Sequence, residues 1–183
     1  MNYQKYRWFF TSSGKPVVGG KNAQQNEEIV KKAGKESIII HTKEPGSPFV
    51  IVDCPNSKDL EEASIFCASF SQQWKKGKKS AIIHLFKGNQ TSKESGQKTG
   101  TFSVIGKIQE AKVELKLGLL FQQNKLRAVP LSVGKTFLKI EPGKIDKEKI
   151  AEKIKGILKK EGINVDKEEI LRAIPSGKFR IEK

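Results

Sequence analysis

The side chains of this sequence that are best suited to chemistry are cations that recur in one loop after another. They lie around a first hairpin, in the following loop, at the end of a helix and in a polar loop, as Arg7, Lys21, Lys43, Lys75, Lys76 and Lys93. Cations spread in this way neutralise several phosphates of one nucleic-acid backbone, and each contact releases counterions. The spacing therefore predicts a phosphate-binding surface rather than a single catalytic centre.

Side-chain amides lie among these cations. Asn22 and Gln25 fit the capping box of a helix that begins after Asn22. Gln24 and Asn26 are a surplus that a helix start does not require. Because side-chain amides also bind bases and ribose, we take all four as candidate RNA-binding residues.

His41 ends a strand shortly before Gly46 and Ser47. Its imidazole either faces a phosphate or forms a hydrogen bond with a loop carbonyl. We include His41, Gly46 and Ser47 among the candidate RNA-binding residues. Trp8 has two similar alternatives, because it either stacks on an unpaired base or packs in the core.

The sequence contains no motif of enzymatic or cofactor chemistry. Gly14 and Gly19 have the first interval of a Walker A loop, but Gly20 stands where its lysine is needed. No nucleophile elbow, dinucleotide fingerprint or zinc-ligand spacing is present. Cys54 and Cys67 form no CxxC pair and are expected to be reduced thiols. We therefore expect a protein that is not an enzyme and has no catalytic residue, cofactor or metal.

Length and charge limit the class of protein. The chain has 183 residues and a formal net charge of +15 at pH 7, which predicts one domain, with at most a small appendage, and a polyanionic partner. Its apolar runs are far shorter than the roughly 20 residues of a transmembrane helix, and no signal peptide is apparent. We expect a cytoplasmic protein without a membrane partner.

Apolar patterning predicts an α+β fold, in which a largely antiparallel mixed sheet packs on two core helices. The helices are expected from Asn22 to about Lys32 and from Ser57 to about Lys76. Strands are expected at residues 6–11, 17–18, 37–41, 49–52, 81–86, 101–105, 113–121 and 126–129.

The character of the sequence changes at Gly134. A short strand there leads into an amphipathic helix, and Asp166 with Glu169 forms a possible capping box for a last short helix. We predict a larger domain over residues 1–133 and a strand and helical C-terminal extension over residues 134–183. Most of the positive surplus precedes Lys139, so the extension is expected to be a solvated cover on a sheet.

Several of these segments resemble the NFACT-R module, the RNA-binding domain of the NFACT proteins of ribosome-associated quality control. The segments Arg7–Ser12 and Gly19–Glu27 are similar to its opening signature. His41, Gly46-Ser47-Pro48, the run from Ala68 to Trp74, and the segments 89–93, 99–102 and 106–107 are similar to its later motifs. The resemblance covers about residues 3–121 and marks residues 1–133 as an NFACT-R-like RNA-binding domain.

This resemblance implies binding of transfer RNA or ribosomal RNA at the large ribosomal subunit. The sequence departs from the family where Thr42 and Lys43 follow the histidine, since an acidic residue usually stands there. Full-length NFACT proteins also carry an N-terminal domain, helix-hairpin-helix segments and a coiled coil. The chain is expected to be a stand-alone module, and the peptide-tailing activity is not carried over to it.

Two other functions remain open. The protein is alternatively an accessory component of an RNA-processing or RNA-modifying system, with His41 and the amides in a small pocket. The other alternative is a protein-protein adaptor that docks on the ribosome through its C-terminal helices. Neither the oligomeric state nor the identity of the RNA follows from the sequence.

Overall fold

The computed structural model describes residues 2–182. Its strands are β1 (Arg7–Phe10), β2 (Pro16–Gly19), β3 (Ile38–Thr42), β4 (Val50–Val52), β5 (Ser80–Lys87), β6 (Thr91–Ser92), β7 (Ser103–Val104), β8 (Gln109–Glu114), β9 (Leu117–Gln122), β10 (Lys125–Val129), β11 (Leu138–Asp146) and β12 (Lys178–Glu182). Its α-helices are α1 (Ala23–Lys32), α2 (Ser57–Ser69), α3 (Gln72–Lys75), α4 (Lys147–Lys160) and α5 (Lys167–Ala173). Short 3-10 turns lie at Tyr3–Lys5, Gly88–Gln90 and Leu131–Val133.

The N-terminal two thirds of the chain form a six-stranded sheet with the order β1-β2-β4-β3-β5-β8, in which every pair is antiparallel. Its strands are rich in β-branched and aromatic residues, which pack well on a pleated surface. The predicted opening hairpin is present, with Trp8 opposite Val18. The predicted pairing of the two following strands is also present, with Ile39 opposite Ile51.

Helix α2 covers one face of this sheet. A capping box between Asn56 and Asp59 starts the helix, and Phe66 packs against Phe9 with ring centroids 4.7 Å apart. The single helix predicted to reach Lys76 is interrupted after Ser69. Ser71 causes this break, because its Oγ donates to the carbonyl of Ala68 at 2.6 Å and accepts from the N–H of Gln73 at 3.0 Å. It thereby caps α3.

Helix α1 lies on the opposite face of the sheet. Ile29 and Val30 of this helix belong to a second apolar cluster that also contains Tyr6, Val18, Ile39, Phe49 and Phe86. Helix α2 therefore covers one face of the six-stranded sheet, and α1 covers part of the other, where Ile82 of β5 stays exposed. The predicted α+β class with two core helices is confirmed.

The C-terminal part is a four-stranded antiparallel sheet with the order β10-β9-β11-β12, packed with α4 and α5 on the main core. Leu119 of β9 pairs with Leu138 of β11. The two strands on either side of the predicted boundary at residue 134 therefore belong to one sheet, and cutting the chain there divides that sheet. Deleting residues 139–183 would also expose buried residues such as Leu117 and Leu119.

Two local predictions were wrong. The strand predicted over residues 113–121 consists of two strands, because the chain leaves the first sheet at Glu114 and enters the second at Leu117. The predicted capping box is absent: Asp166 precedes α5 without a side-chain capping bond, and the Oε1 of Glu169 accepts the N–H of Leu126 at 2.8 Å. No helix within residues 2–182 is long and apolar enough to cross a membrane.

Candidate nucleic-acid interface

Nine of the thirteen candidate residues meet in one cleft of about 620 Å³. We call this space the interface cleft. Strand β1, the turn before α1, the loop between β3 and β4, and α3 contribute to its wall. The candidates that line it are Arg7, Lys21, Asn22, Asn26, His41, Lys43, Gly46, Ser47 and Lys75. Within the described part of the chain, no Asp or Glu lines this cleft.

Arg7 projects from β1 into the cleft wall. Its Nη1 donates to the carbonyl of Gly20, and its guanidinium lies 5.5 Å from the ring centroid of Phe70. Burial lowers the pKa of Arg7, although a guanidinium stays charged at neutral pH. No carboxylate of residues 2–182 forms an ion pair with it within 4.0 Å. Arg7 is therefore a half-buried cation whose remaining donors are available to an anion.

Lys21 lies next to Arg7 at the turn before α1. Its Nζ donates to the carbonyl of Lys5 at 2.8 Å. Burial lowers the pKa of Lys21, and the charges of Arg7 and Arg127 lower it further. These cations repel one another, and an anion placed between them would reduce that repulsion.

Asn22 and Gln25 build the start of α1. The Oδ1 of Asn22 accepts the N–H of Gln25 at 2.9 Å, as an N-cap does. The Oε1 of Gln25 accepts the N–H of Lys21 at 3.0 Å instead of the N–H of Asn22 that a capping box requires. Gln25 and the exposed Gln24 do not line the cleft. Asn22 and Asn26 therefore lie at the cleft and the two glutamines lie outside it, so RNA contact by Gln24 and Gln25 stays a prediction.

Asn26 connects two elements of the cleft wall. Its Oδ1 accepts the N–H of Phe49 at 3.1 Å, which ties α1 to the start of β4. A Cβ atom at Gly20 would lie 2.1 Å from the same Oδ1. Glycine is therefore needed at position 20 to let the Asn26 side chain reach across.

His41 lies against Phe49 with ring centroids 4.5 Å apart. Its Nδ1 is 2.7 Å from the carbonyl oxygen of Thr42. Because a carbonyl only accepts, Nδ1 carries the proton of this bond. Burial lowers the pKa of His41, so the ring is neutral at pH 7 and its Nε2 is an acceptor.

Gly46 and Ser47 shape the loop between β3 and β4. Gly46 has a φ of +96°, and a Cβ there would lie 2.5 Å from the Cγ of Gln72. Its carbonyl accepts the N–H of Gln72 at 2.9 Å. The Oγ of Ser47 accepts the N–H of Thr42 at 3.0 Å and is buried. Both residues fix the backbone of the loop.

Some of the predicted lysines form ion pairs within the part of the protein that the structure describes, and others do not. Lys43 pairs with Glu110 at 2.8 Å, and Lys76 approaches Glu44 at 3.5 Å. Lys93 pairs with Glu27 at 2.7 Å and also donates to the carbonyls of residues 98 and 101. Lys76 and Lys93 do not line the cleft that holds Arg7, and their contact with RNA stays a prediction. Their charges are used within the protein.

Lys75 is one of the lysines without an ion pair in residues 2–182. It is exposed, lines the cleft and has no ion pair within 4.0 Å in residues 2–182. Arg7, Lys21 and Lys75 are therefore the cations of this cleft that are available to a ligand.

The sequence interpretation missed the outer rim of the cleft. Thr101 and Phe102 line it, and Phe102 lies edge-on to Phe49 with centroids 5.7 Å apart. The segment 99–102 was part of the resemblance, which is the signal that could have identified them. Trp8 packs in the core, because it is only 3% exposed and is covered by Arg127 at 3.9 Å.

Similarity to known proteins covers both parts of the chain. A family model described as the NFACT protein RNA binding domain matches residues 5–106. The archaeal Rqc2 homolog aRqcH of Methanocaldococcus jannaschii is 32% identical over 99% of this chain and 29% of its own length. The ribosome quality control complex subunit NEMF homolog of Drosophila melanogaster is 32% identical over 66% of this chain and 13% of its own length. The chain thus spans less than a third of either relative.

A solved structure has a similar fold. The C-terminal part of the fibronectin/fibrinogen-binding protein from Streptococcus suis superposes with a TM-score of 0.54 and 21% identity, over 59% of this chain and 45% of that chain. At this identity the likeness concerns the fold alone.

Proposed function

This chain belongs to the family of NFACT protein RNA-binding domains, and from that membership we propose that it binds RNA through the interface cleft. The resemblance found in the run from Gly19 to Glu27 is thereby confirmed. The observation that carries the proposal is the composition of the cleft. It combines Arg7, Lys21 and Lys75 with no lining carboxylate in the described range.

The cations bind the phosphates. Arg7 is half-buried and offers a planar set of donors to one phosphate, whereas Lys75 is exposed and acts as a point charge at the rim. Lys21 lies beside Arg7 and contributes to the same field. Contacts of this kind position a strand without reading its sequence, and their strength falls with salt.

His41 recognises the sugar in this proposal. Its neutral Nε2 accepts a hydrogen bond from a ribose 2′-hydroxyl, a group that distinguishes RNA from DNA. The bond from Nδ1 to Thr42 and the contact with Phe49 hold the ring in place.

The names of the relatives support a ligand that belongs to the ribosome. The Drosophila melanogaster relative is named as a subunit of the ribosome quality control complex, and the archaeal relative is named as an Rqc2 homolog. We propose transfer RNA or large-subunit ribosomal RNA as the ligand, the large ribosomal subunit as the partner and the cytoplasm as the location. Peptide tailing is not proposed, since the chain spans only 29% of the archaeal relative.

We propose a binding role without catalysis. Residues 2–182 contain no group of three or more His, Cys, Asp or Glu residues that could hold a metal ion. Burial raises the pKa of the Cys67 thiol to about 12, so it is not a nucleophile at neutral pH. Neither observation favours the RNA-modifying alternative.

Fluorescence anisotropy with a deacylated transfer RNA tests this function over a series of salt concentrations. Lys75→Gln and Arg7→Gln should each weaken binding and reduce the slope of log K against log salt by about 0.7 to 0.9. Lys79→Gln is the matched control, because Lys79 is an exposed member of the same basic run that does not line the cleft. Binding that is independent of salt, or equal losses in all three variants, would refute the cleft as the site.

The same assay with ribosomal RNA fragments compares the two classes of RNA. Crosslinking in cells, followed by sequencing of the attached RNA, then identifies the RNA that the protein binds in vivo. Recovery of neither transfer RNA nor ribosomal RNA would contradict the assignment to ribosome quality control.

A further inference from the structure

A second groove of about 610 Å³ adjoins the interface cleft. We call it the auxiliary groove. It shares Arg7, Lys21, Phe70 and Ser176 with the interface cleft, so the two spaces are continuous at the first hairpin. Its far wall comes from β10, α4 and α5, which lie beyond the residues 5–106 of the family match. The cations lining it are Arg7, Lys21, Lys125, Arg127, Lys147 and Arg172.

The charges of this groove are not balanced inside the protein. Arg127, Lys147 and Arg172 have no ion pair within 4.0 Å in residues 2–182. Asp166 and Glu169 also line the groove. The Oε1 of Glu169 accepts the backbone N–H of Leu126, and burial lowers the pKa of Arg127 against the smaller, opposite effect of the Glu169 charge. The groove thus holds six cations against two carboxylates.

The guanidinium of Arg127 is held in place, but not all of its hydrogen-bond donors have partners. Its guanidinium stacks on Trp8 with the Cζ 3.9 Å from the ring centroid, and Nη1 donates to the carbonyl of Leu126 at 3.2 Å. Its buried Nε has no hydrogen-bond partner. A buried donor without a partner is unfavourable. The Arg127 side chain as a whole is half-buried and lines the groove, so its positive charge acts on an anion bound there.

The pKa of Lys147 reflects burial and the nearby positive charges of both cavities. Burial lowers the pKa of Lys147, and the charges of Arg7 and Lys75 lower it further, against the opposing effect of Glu148. Lys147 therefore lies within the field of both a shared residue and a residue of the interface cleft. An anion in the auxiliary groove would reduce this repulsion, as one in the interface cleft would.

We propose that the auxiliary groove is a second phosphate subsite, in which Arg127, Lys147 and Arg172 hold the backbone of the same RNA strand that occupies the interface cleft. This inference rests on the proposed function. The C-terminal segment then extends the RNA surface instead of only covering a sheet. The charge pattern of the sequence hid this role, because the basic residues of residues 139–183 alternate with acidic ones.

Salt dependence of transfer RNA binding by the full chain tests the subsite. The double variant Lys147→Gln with Arg172→Gln removes two of its cations without changing the stack of Arg127 on Trp8. Lys149→Gln with Lys153→Gln removes the same charge from exposed positions of α4. We expect the first variant to reduce the slope by about 1.4 to 1.8, at about 0.7 to 0.9 per phosphate contact. The second should leave the slope close to that of the unmodified chain.

The outcomes separate this inference from the proposed function. If the unmodified chain binds transfer RNA with a steep slope but both double variants behave alike, the subsite is refuted and the interface cleft stands. If the unmodified chain does not bind RNA, both proposals fail. Arg127→Gln is a further variant, and its melting temperature is measured first because Arg127 packs on Trp8. If the folded variant binds with the slope of the unmodified chain, it contradicts a phosphate at Arg127.

Discussion

Asn26 accepts the backbone N–H of Phe49 through its Oδ1 at 3.1 Å, so a residue of α1 holds the start of β4 at the wall of the interface cleft. Phe49 is 7% exposed, and its N–H has little access to water. The bond therefore fixes the relative position of α1 and β4.

Substitution of Asn26 tests this bond. Asn26→Ala leaves the N–H of Phe49 without a partner and should reduce the free energy of unfolding by about 1 to 3 kcal/mol. Asn26→Asp keeps the acceptor but adds a negative charge to the cleft, so it should weaken RNA binding more than it lowers stability. Chemical denaturation and anisotropy measure the two effects. Gln24→Ala is the control, since Gln24 is exposed and outside the cleft. Equal stability of the two alanine variants would contradict the structural role of Asn26.

Substitution of Lys75 should affect RNA binding, whereas substitution of Lys93 should affect the stability of a loop. Lys75→Gln removes an unpaired cation of the cleft and should reduce the salt slope of RNA binding by about 0.7 to 0.9. Lys93→Gln breaks the pair with Glu27 and should increase amide hydrogen exchange over residues 94–101 while changing the slope much less. Hydrogen exchange and salt titration of both variants check this. The distinction would fail if Lys93→Gln reduced the slope as much as Lys75→Gln and left exchange unchanged.

Glu27 gives the loop after Lys93 a dependence on pH. Hydrogen bonds from Lys93, the N–H of Gly100 and Lys31 lower the pKa of Glu27 to about 2, below its ordinary 4.5. Because the folded pKa is the lower one, the stabilisation is complete above pH 4.5 and is lost as the pH falls through about 2. The amide proton shift of Gly100, followed by NMR, should titrate with a midpoint near 2. A midpoint near 4.5 would disprove the contact, and Glu27→Gln should abolish the titration.

His41 should set the preference for RNA over DNA. His41→Phe keeps the contact with Phe49 but removes the Nε2 acceptor. We expect the ratio of RNA to DNA affinity to fall about 2- to 10-fold, which corresponds to one hydrogen bond of about 0.5 to 1.5 kcal/mol. Paired anisotropy titrations with single strands of the same sequence measure the ratio. Equal losses for RNA and DNA would indicate that His41 acts on the cleft shape alone.

The ratio of RNA to DNA affinity should also depend on pH. Burial lowers the pKa of His41 below its ordinary 6.5, so the neutral ring predominates at pH 7 and above. The RNA preference should be constant from pH 8 to 7 and should decrease only at lower pH, where protonated Nε2 no longer accepts. A preference that changes between pH 8 and 7 would contradict this assignment.

The sequence by itself determined the class of fold and the segments of the site. Local patterns are sufficient for this, because the hairpin at Trp8, the helix that Asn22 caps and the paired strands at Ile39 and Ile51 depend on residues near one another in the chain. The run from Gly19 to Glu27 identified the family for the same reason, since one short segment builds the whole turn.

Only the tertiary structure decided which charges are left without an ion pair and are available to a ligand. Whether a lysine is free depends on carboxylates far away in sequence, such as Glu27 for Lys93 and Glu110 for Lys43. The role of Arg127 and Lys147 could not be predicted from the sequence either, because their neighbours in space come from the first hairpin. Folding brings the two parts of the chain together, and long-range electrostatics and burial then select the binding surface from a sequence that is basic almost throughout.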